Sequence, residues 1–149
     1  MRYTLQFHAS GARYRPSRIA FTFASQHDVG DAAKLGRYKG GLYPYGASSI
    51  SVPKDLRWEE KIPALVATVT TLLARMKEEG ADSFYVSAGY FYESQCNLEF
   101  TQKELLLLAS LDCPFCLSCY NSEEEPNHPT EPTPATVTRP AGQAARQSP

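Results

Sequence analysis

The chain has 149 residues, of which 21% are charged, and a formal net charge of −1. That length can bury one hydrophobic core, which leaves no room for a substrate domain beside a cofactor domain. The lack of any collagen or heptad repeat excludes those fibrous classes.

The folding part is shorter than the chain. From Ser122 to Pro149 there are six of the eleven prolines, no aromatic residue and no Leu, Ile or Met. Such a segment has nothing with which to offset the entropy of ordering it. The sequence therefore predicts a folded domain over 1–121 and a disordered Pro-rich tail over 122–149. Cutting the domain after Lys61 exposes a charge asymmetry. Positions 1–61 hold ten Lys/Arg against five Asp/Glu, and positions 62–121 hold three against seven, a bipolar arrangement suited to a charged partner.

The first element is a strand, because Tyr3, Leu5, Phe7 and Ala9 alternate with Thr4, Gln6 and His8, one face apolar and the other polar. The same alternation is not the continuous apolar run of a signal peptide, and no stretch approaches the roughly 18 apolar residues of a membrane span. A cytoplasmic location without membrane attachment is expected. Over 16–24 two readings stay open: Pro16 suits the first position of a helix, whereas Ile19, Phe21 and Phe23 alternate as a strand does. From His27 to Ser49 there are five glycines and little periodicity, giving a long loop that leads into a short strand at 49–52.

The strongest helix signal follows. Trp58, Ile62, Leu65, Val66, Val69, Leu72, Leu73 and Met76 recur at steps of three and four, one broad apolar stripe. Pro63 places the start of the regular helix near Ile62, and Gly80 is the expected stop. Phe84, Val86, Ala88 and Tyr90 form another alternating strand. Thr101 and Glu104 make a capping box, with Phe100 and Leu105 spaced as its staple, for a short buried helix through Leu111. Phe115 to Tyr120 is the last strand. The expected fold is α+β: a two-layer sandwich with a small, mostly antiparallel sheet of about four strands and two or three helices on one face.

Chemistry-bearing patterns are few. Cys113, Cys116 and Cys119, with Cys96 as a fourth thiolate, have spacing that could hold zinc or an iron–sulfur cluster. In a strand, however, Cys119 shares a face with Phe115 and Leu117 while Cys116 faces the other way, so free thiols are expected and no metal. Cys113-Pro114-Phe115-Cys116 has the C-P-x-C form of a glutaredoxin, yet it leaves a helix and enters a strand, so no helix dipole activates the thiol. The three histidines, His8, His27 and His128, do not cluster in sequence. The serines lack a G-x-S-x-G context, and Gly36 to Gly46 lacks a G-K-[ST] ending. No catalytic residue and no cofactor is implied.

What remains is a loop in which Arg37, Tyr38, Lys39, Tyr43 and Tyr45 interleave cations with aromatic rings. Tyr and Arg bury much area at limited entropic cost, which suits a protein partner. The same loop could instead stack the bases of single-stranded nucleic acid. Protein ranks first because the domain carries thirteen basic against twelve acidic residues, too little excess for a phosphate-binding surface.

The stretch Ser87-Ala88-Gly89-Tyr90-Phe91-Tyr92-Glu93-Ser94, then Leu98-Glu99-Phe100-Thr101, the leucine-rich helix and the final strand to Tyr120, resembles the bacterial domain-of-unknown-function family 4279. The Lys39-Gly40 turn and the Pro16-to-Ile19 segment look similar in order. The resemblance implies a helix from Pro16 and, since some members look like immunity proteins of toxin systems, an immunity or regulatory role. It transfers no catalytic residue. The Gly89-Tyr90-Phe91 segment reads as structural, with Tyr90 packing inward and Glu93-Ser94 turning the chain.

Overall fold

A computed structural model describes residues 2–93 and 97–121. Cys96, Ser94 and the tail from Ser122 lie outside the described residues. In chain order the elements are strand β1 (Arg2–Gly11), a 3-10 turn (Pro16–Arg18), strand β2 (Ser25–His27), a second 3-10 turn (Gly36–Tyr38), strand β3 (Gly46–Ser51), helix α1 (Trp58–Glu78), strand β4 (Ser83–Tyr92), helix α2 (Gln102–Ala109) and strand β5 (Phe115–Asn121). The fold is α+β. Its one sheet has five strands in the order β2-β3-β1-β4-β5, antiparallel throughout except where β5 runs parallel to β4. The fifth strand, beyond the four expected, is β2. It is only three residues long, too short for alternation to mark it. No helix among the described residues is long and apolar enough to cross a membrane.

Register decides the two faces. Phe7 lies between Ile50 and Val86, and Ala9 between Ser48 and Phe84, so the apolar sides of three strands coincide. Against them α1 sets Ile62, Leu65, Val66, Val69 and Met76, and α2 adds Leu108, making one core cluster. Tyr90 is 1% exposed on this helix-covered side, the inward packing expected of it. The opposite face carries Thr4, Gln6, His8, Tyr85, Ser87 and Phe91, and among the described residues no helix lies across it.

Three expectations need correction. First, 16–24 is not one element: Pro16 does open a helix, but a 3-10 helix that ends at Arg18, and no strand follows it before β2. Beyond it Phe21 N–H donates to the Ile19 carbonyl at 2.8 Å, and the segment meets β3 only at its end, where Ala24 N–H donates to the Ser49 carbonyl at 2.9 Å and β2 takes over the pairing. Ile19 and Phe23 are buried and Phe21 partly so. The alternation therefore reports burial on one side of an extended chain that has no ladder partner. Second, α1 begins at Trp58, not near Ile62. Glu60 accepts from the Arg57 N–H at 3.1 Å and caps the end. Pro63 is tolerated because the carbonyl it leaves without a donor belongs to exposed Glu59, where water can serve it. Third, α2 is not buried throughout. Leu105 and Leu106 are 51% and 64% exposed, and Phe100 packs on Trp58 and Phe115.

The predicted terminators hold. Gly80, at φ +98, ends α1 in a Schellman arrangement, with Ala81 N–H on the Met76 carbonyl at 2.9 Å and Gly80 N–H on that of Lys77 at 3.1 Å. Thr101 and Glu104 form the reciprocal capping box.

Candidate functional site

The glycine-rich stretch after β2 is an irregular hairpin. Gly30 N–H donates to the Tyr43 carbonyl and Tyr43 N–H to that of Asp31, each at 2.9 Å, while Ala33 N–H reaches the Gly41 carbonyl at 2.9 Å. Folding the stretch back on itself gathers the tyrosines. Tyr38 meets Tyr43 and Tyr45 edge-on, with centroids 6.3 and 6.0 Å apart, and the Arg37 guanidinium lies 5.6 Å over the Tyr38 ring. Lys39 is exposed at the tip, its N–H closing the turn on Gly36. Four of the five predicted residues thus form one cluster, and Lys39 flanks it.

The cluster rests on a residue that the sequence left unassigned. His27, at the end of β2, stacks on Tyr43 with centroids 3.7 Å apart and 21° between planes, and lies 5.7 Å from Tyr45. Its Nε2 is buried without a hydrogen-bond partner. Burial lowers its pKa from the ordinary histidine value, opposed by Asp31, Asp28 and a hydrogen bond to the Tyr45 backbone.

Beside it a shallow cleft of about 300 Å³ opens on the uncovered sheet face, lined among others by His8, Ser10, Ser25, His27, Tyr45 and Tyr85. His8 on β1 sits opposite Tyr85 on β4, and their rings stack at 4.4 Å and 12°. The His8 Nε2 and the Ser87 Oγ are 2.9 Å apart. Ser25 and Ser49 hydroxyls pair at 2.7 Å across β2 and β3. Farther along the same face Tyr120 stacks on Phe91 at 5.0 Å.

A serine beside an imidazole is the first half of a hydrolytic triad, but a third group must orient the imidazole. Among the described residues no carboxylate acts on His8, whose pKa is lowered by burial alone. Its ring is engaged by Tyr85. What the face offers chemically is neutral imidazoles, hydroxyls and aromatic surface.

The three described cysteines do not converge. Cys116 pairs with Ser87 on the uncovered face and Cys119 with Tyr90 on the other, the separation that alternation predicts. Cys113 is half-buried against the core, and burial with the Asp112 charge pushes its thiol pKa up, the reverse of an activated redox thiol. Among the described residues no group of three His, Cys, Asp or Glu could hold a metal.

Comparisons of the chain with family models, with curated proteins and with solved structures find no match.

Proposed function

We propose that this protein is a non-enzymatic binding module that acts in the cytoplasm and takes a protein partner on the uncovered sheet face and the Tyr-rich hairpin beside it. The observation that carries this reading is aromatic exposure. Tyr45, Tyr85 and Tyr120 stand 36%, 41% and 50% exposed along that side, each held by another ring. Exposed rings already fixed in place lose little entropy on docking, and tyrosine is among the residues that dominate interface energies. The charge pattern favours protein over nucleic acid. The hairpin's Lys34, Arg37 and Lys39 face Asp28 and Asp31 in the same stretch, an excess of one positive charge, and both histidines of the cleft are biased toward the neutral form. Such a face gains little from phosphates.

The test is affinity capture with the full chain and, in parallel, a Tyr45→Ala/Tyr85→Ala variant and a Leu106→Ala control on the helical side. A stoichiometric protein retained by wild type and control but lost by the double variant supports the reading. Recovery of nucleic acid instead, with affinity dropping about 100-fold or more between 50 and 200 mM salt, would overturn it in favour of single-stranded nucleic-acid binding. So would partners that the double variant binds equally well. An immunity or regulatory role, the form implied by the likeness to family 4279, requires the captured protein to be a toxin whose activity the wild-type chain suppresses.

A further inference from the structure

β3 accompanies β1 only as far as Ser51 opposite Gln6, whereas β4 stays beside β1 down to Arg2. Next to Tyr3 and Thr4 the place of a strand is taken by the connection Lys54–Arg57, which leads into α1. The space between them is a pocket of about 560 Å³, within the size range of small-molecule sites. It lies toward the other end of β1 from the His8 cleft, five residues or about 16 Å along the strand.

The pocket is basic. Lys54, Arg57 and Lys61 line it against the single acid Asp55. Arg57 is shared with Glu60 at 3.7 Å, so three cations against two acids leave one positive charge. Lys61 decides the chemistry. It is 3% exposed, and its ammonium donates to the carbonyl oxygens of Pro53 at 3.0 Å and Lys54 at 3.3 Å. Those dipoles fix the ammonium in place, but among the described residues no carboxylate pairs with it. Buried lysines are ordinarily paired, and an ammonium has three donors, so a third is left for another acceptor. Beside it, Trp58 forms an aromatic wall with Tyr3, ring centroids 5.1 Å apart, and its indole N–H is buried without a partner. The attraction for an anion comes from these side chains, since Glu60 already occupies the start of α1.

We propose that this pocket binds a small organic anion: a planar ring carrying one carboxylate or phosphate group. The acid sits on the Lys61 ammonium with Lys54 and Arg57 closing over it, and the ring lies against Tyr3 and Trp58. The ligand supplies the counter-charge that Lys61 lacks.

Trp58 is the one tryptophan in the chain, so intrinsic fluorescence of the full-length protein reports on the pocket directly. The probes are adenosine monophosphate and benzoate, with adenosine and benzamide as neutral counterparts and inorganic phosphate as the ringless anion. The expected result is a saturable change in emission with at least one planar anion, at a Kd below about 1 mM as suits a ligand of that size. Affinity falls about tenfold or more in Lys54→Ala/Arg57→Ala, whose side chains are exposed and whose loss leaves the core intact, and further in Lys61→Met. Preference for the monophosphate or for benzoate identifies the acid group. The proposal is overturned if neither anion saturates by about 10 mM. It is equally overturned if the neutral probes or inorganic phosphate bind as well as the planar anions, or if Lys54→Ala/Arg57→Ala binds unchanged.

Discussion

Replacing Tyr14 by phenylalanine tests how the hairpin side of the domain is fastened to the sheet. Tyr14 follows β1, is 0% exposed, and its hydroxyl lies 2.8 Å from the Ser48 Oγ on β3, itself on a residue 4% exposed. The hydrogen bond contributes about 1 kcal/mol net, and stranding the buried Ser48 hydroxyl costs about 1–3 kcal/mol. Tyr14→Phe should therefore destabilise by about 1–3 kcal/mol, and Ser48→Ala by a similar amount because it strands the phenol instead. Removing both leaves no unsatisfied group, so the double variant should lose less than the sum, with a coupling of about 1–2 kcal/mol. Urea unfolding followed by Trp58 emission and far-UV circular dichroism gives all four free energies. For a domain of this size about 1 kcal/mol corresponds to some 3–5 °C in Tm. Additive single effects, or a Tyr14→Phe variant within about 0.3 kcal/mol of wild type, would refute the assignment of this pair as a buried tie.

Titration offers an independent check on the same residue. Burial raises the Tyr14 pKa above the ordinary tyrosine value, with the Asp28 charge adding to it and the Ser48 hydrogen bond opposing it. The folded state then holds its proton where the unfolded chain has lost it, so the folded state binds more protons and stability declines as pH rises. The decline begins near the unfolded value of about 10 and ends at the higher folded value. Tyr14→Phe should flatten that alkaline slope relative to wild type. An unchanged slope removes the phenol from the account.

Gly80→Ala forces a side chain into φ +98 and sets its Cβ 2.9 Å from the Arg13 carbonyl, whereas Gly40, at φ +86, has open space around it. Gly40→Ala should cost about 1 kcal/mol and Gly80→Ala at least twice that, and equal Tm losses would contradict the close approach. Thr101→Ala removes the N-cap of α2 and one partner of the buried Glu104 carboxylate, a loss of about 1 kcal/mol readable by chemical unfolding. Burial depresses the pKa of both His8 and His27. Stability should thus be complete above the unfolded value of about 6.5 and fall as pH drops below it, with a shallower fall in His27→Gln; a steeper one would reverse the sign assigned here.

The sequence made some of this legible for physical reasons. Where the chain buries one side against the core, its period shows, so β1, β4, the stripe of α1 and the box at Thr101 could be read from residue spacing alone. Gly80 could be read because few other residues accept its φ. The misses share a cause: each depends on what lies across space rather than along the chain. Phe21 and Phe23 alternate like a strand, but a strand also needs a free edge beside it, and β2 occupies the edge of β3. The run of leucines in α2 says nothing about which of them the sheet covers. Pro63 forbids one hydrogen bond without revealing that the orphaned carbonyl is on the wet side.

The candidate site divides along the same line. Tyr38, Tyr43 and Tyr45 were visible as a composition, since a local hairpin brings together residues that are already near in sequence. His8 and His27 were not, because nineteen positions separate them and only the register of β2, β3 and β1 carries them to one cleft. The basic pocket was less visible still. It exists because β3 stops at Ser51 while β1 continues, a mismatch of strand lengths that no motif encodes. Lys61 shows the difficulty most plainly. On the helical wheel it adjoins the apolar stripe, and a long aliphatic stem is at home there without implying function. Its ammonium becomes informative only once the Pro53 and Lys54 carbonyls are seen to hold it and no carboxylate among the described residues to neutralise it. Lys61 is thus ordinary in type and unusual only in its surroundings.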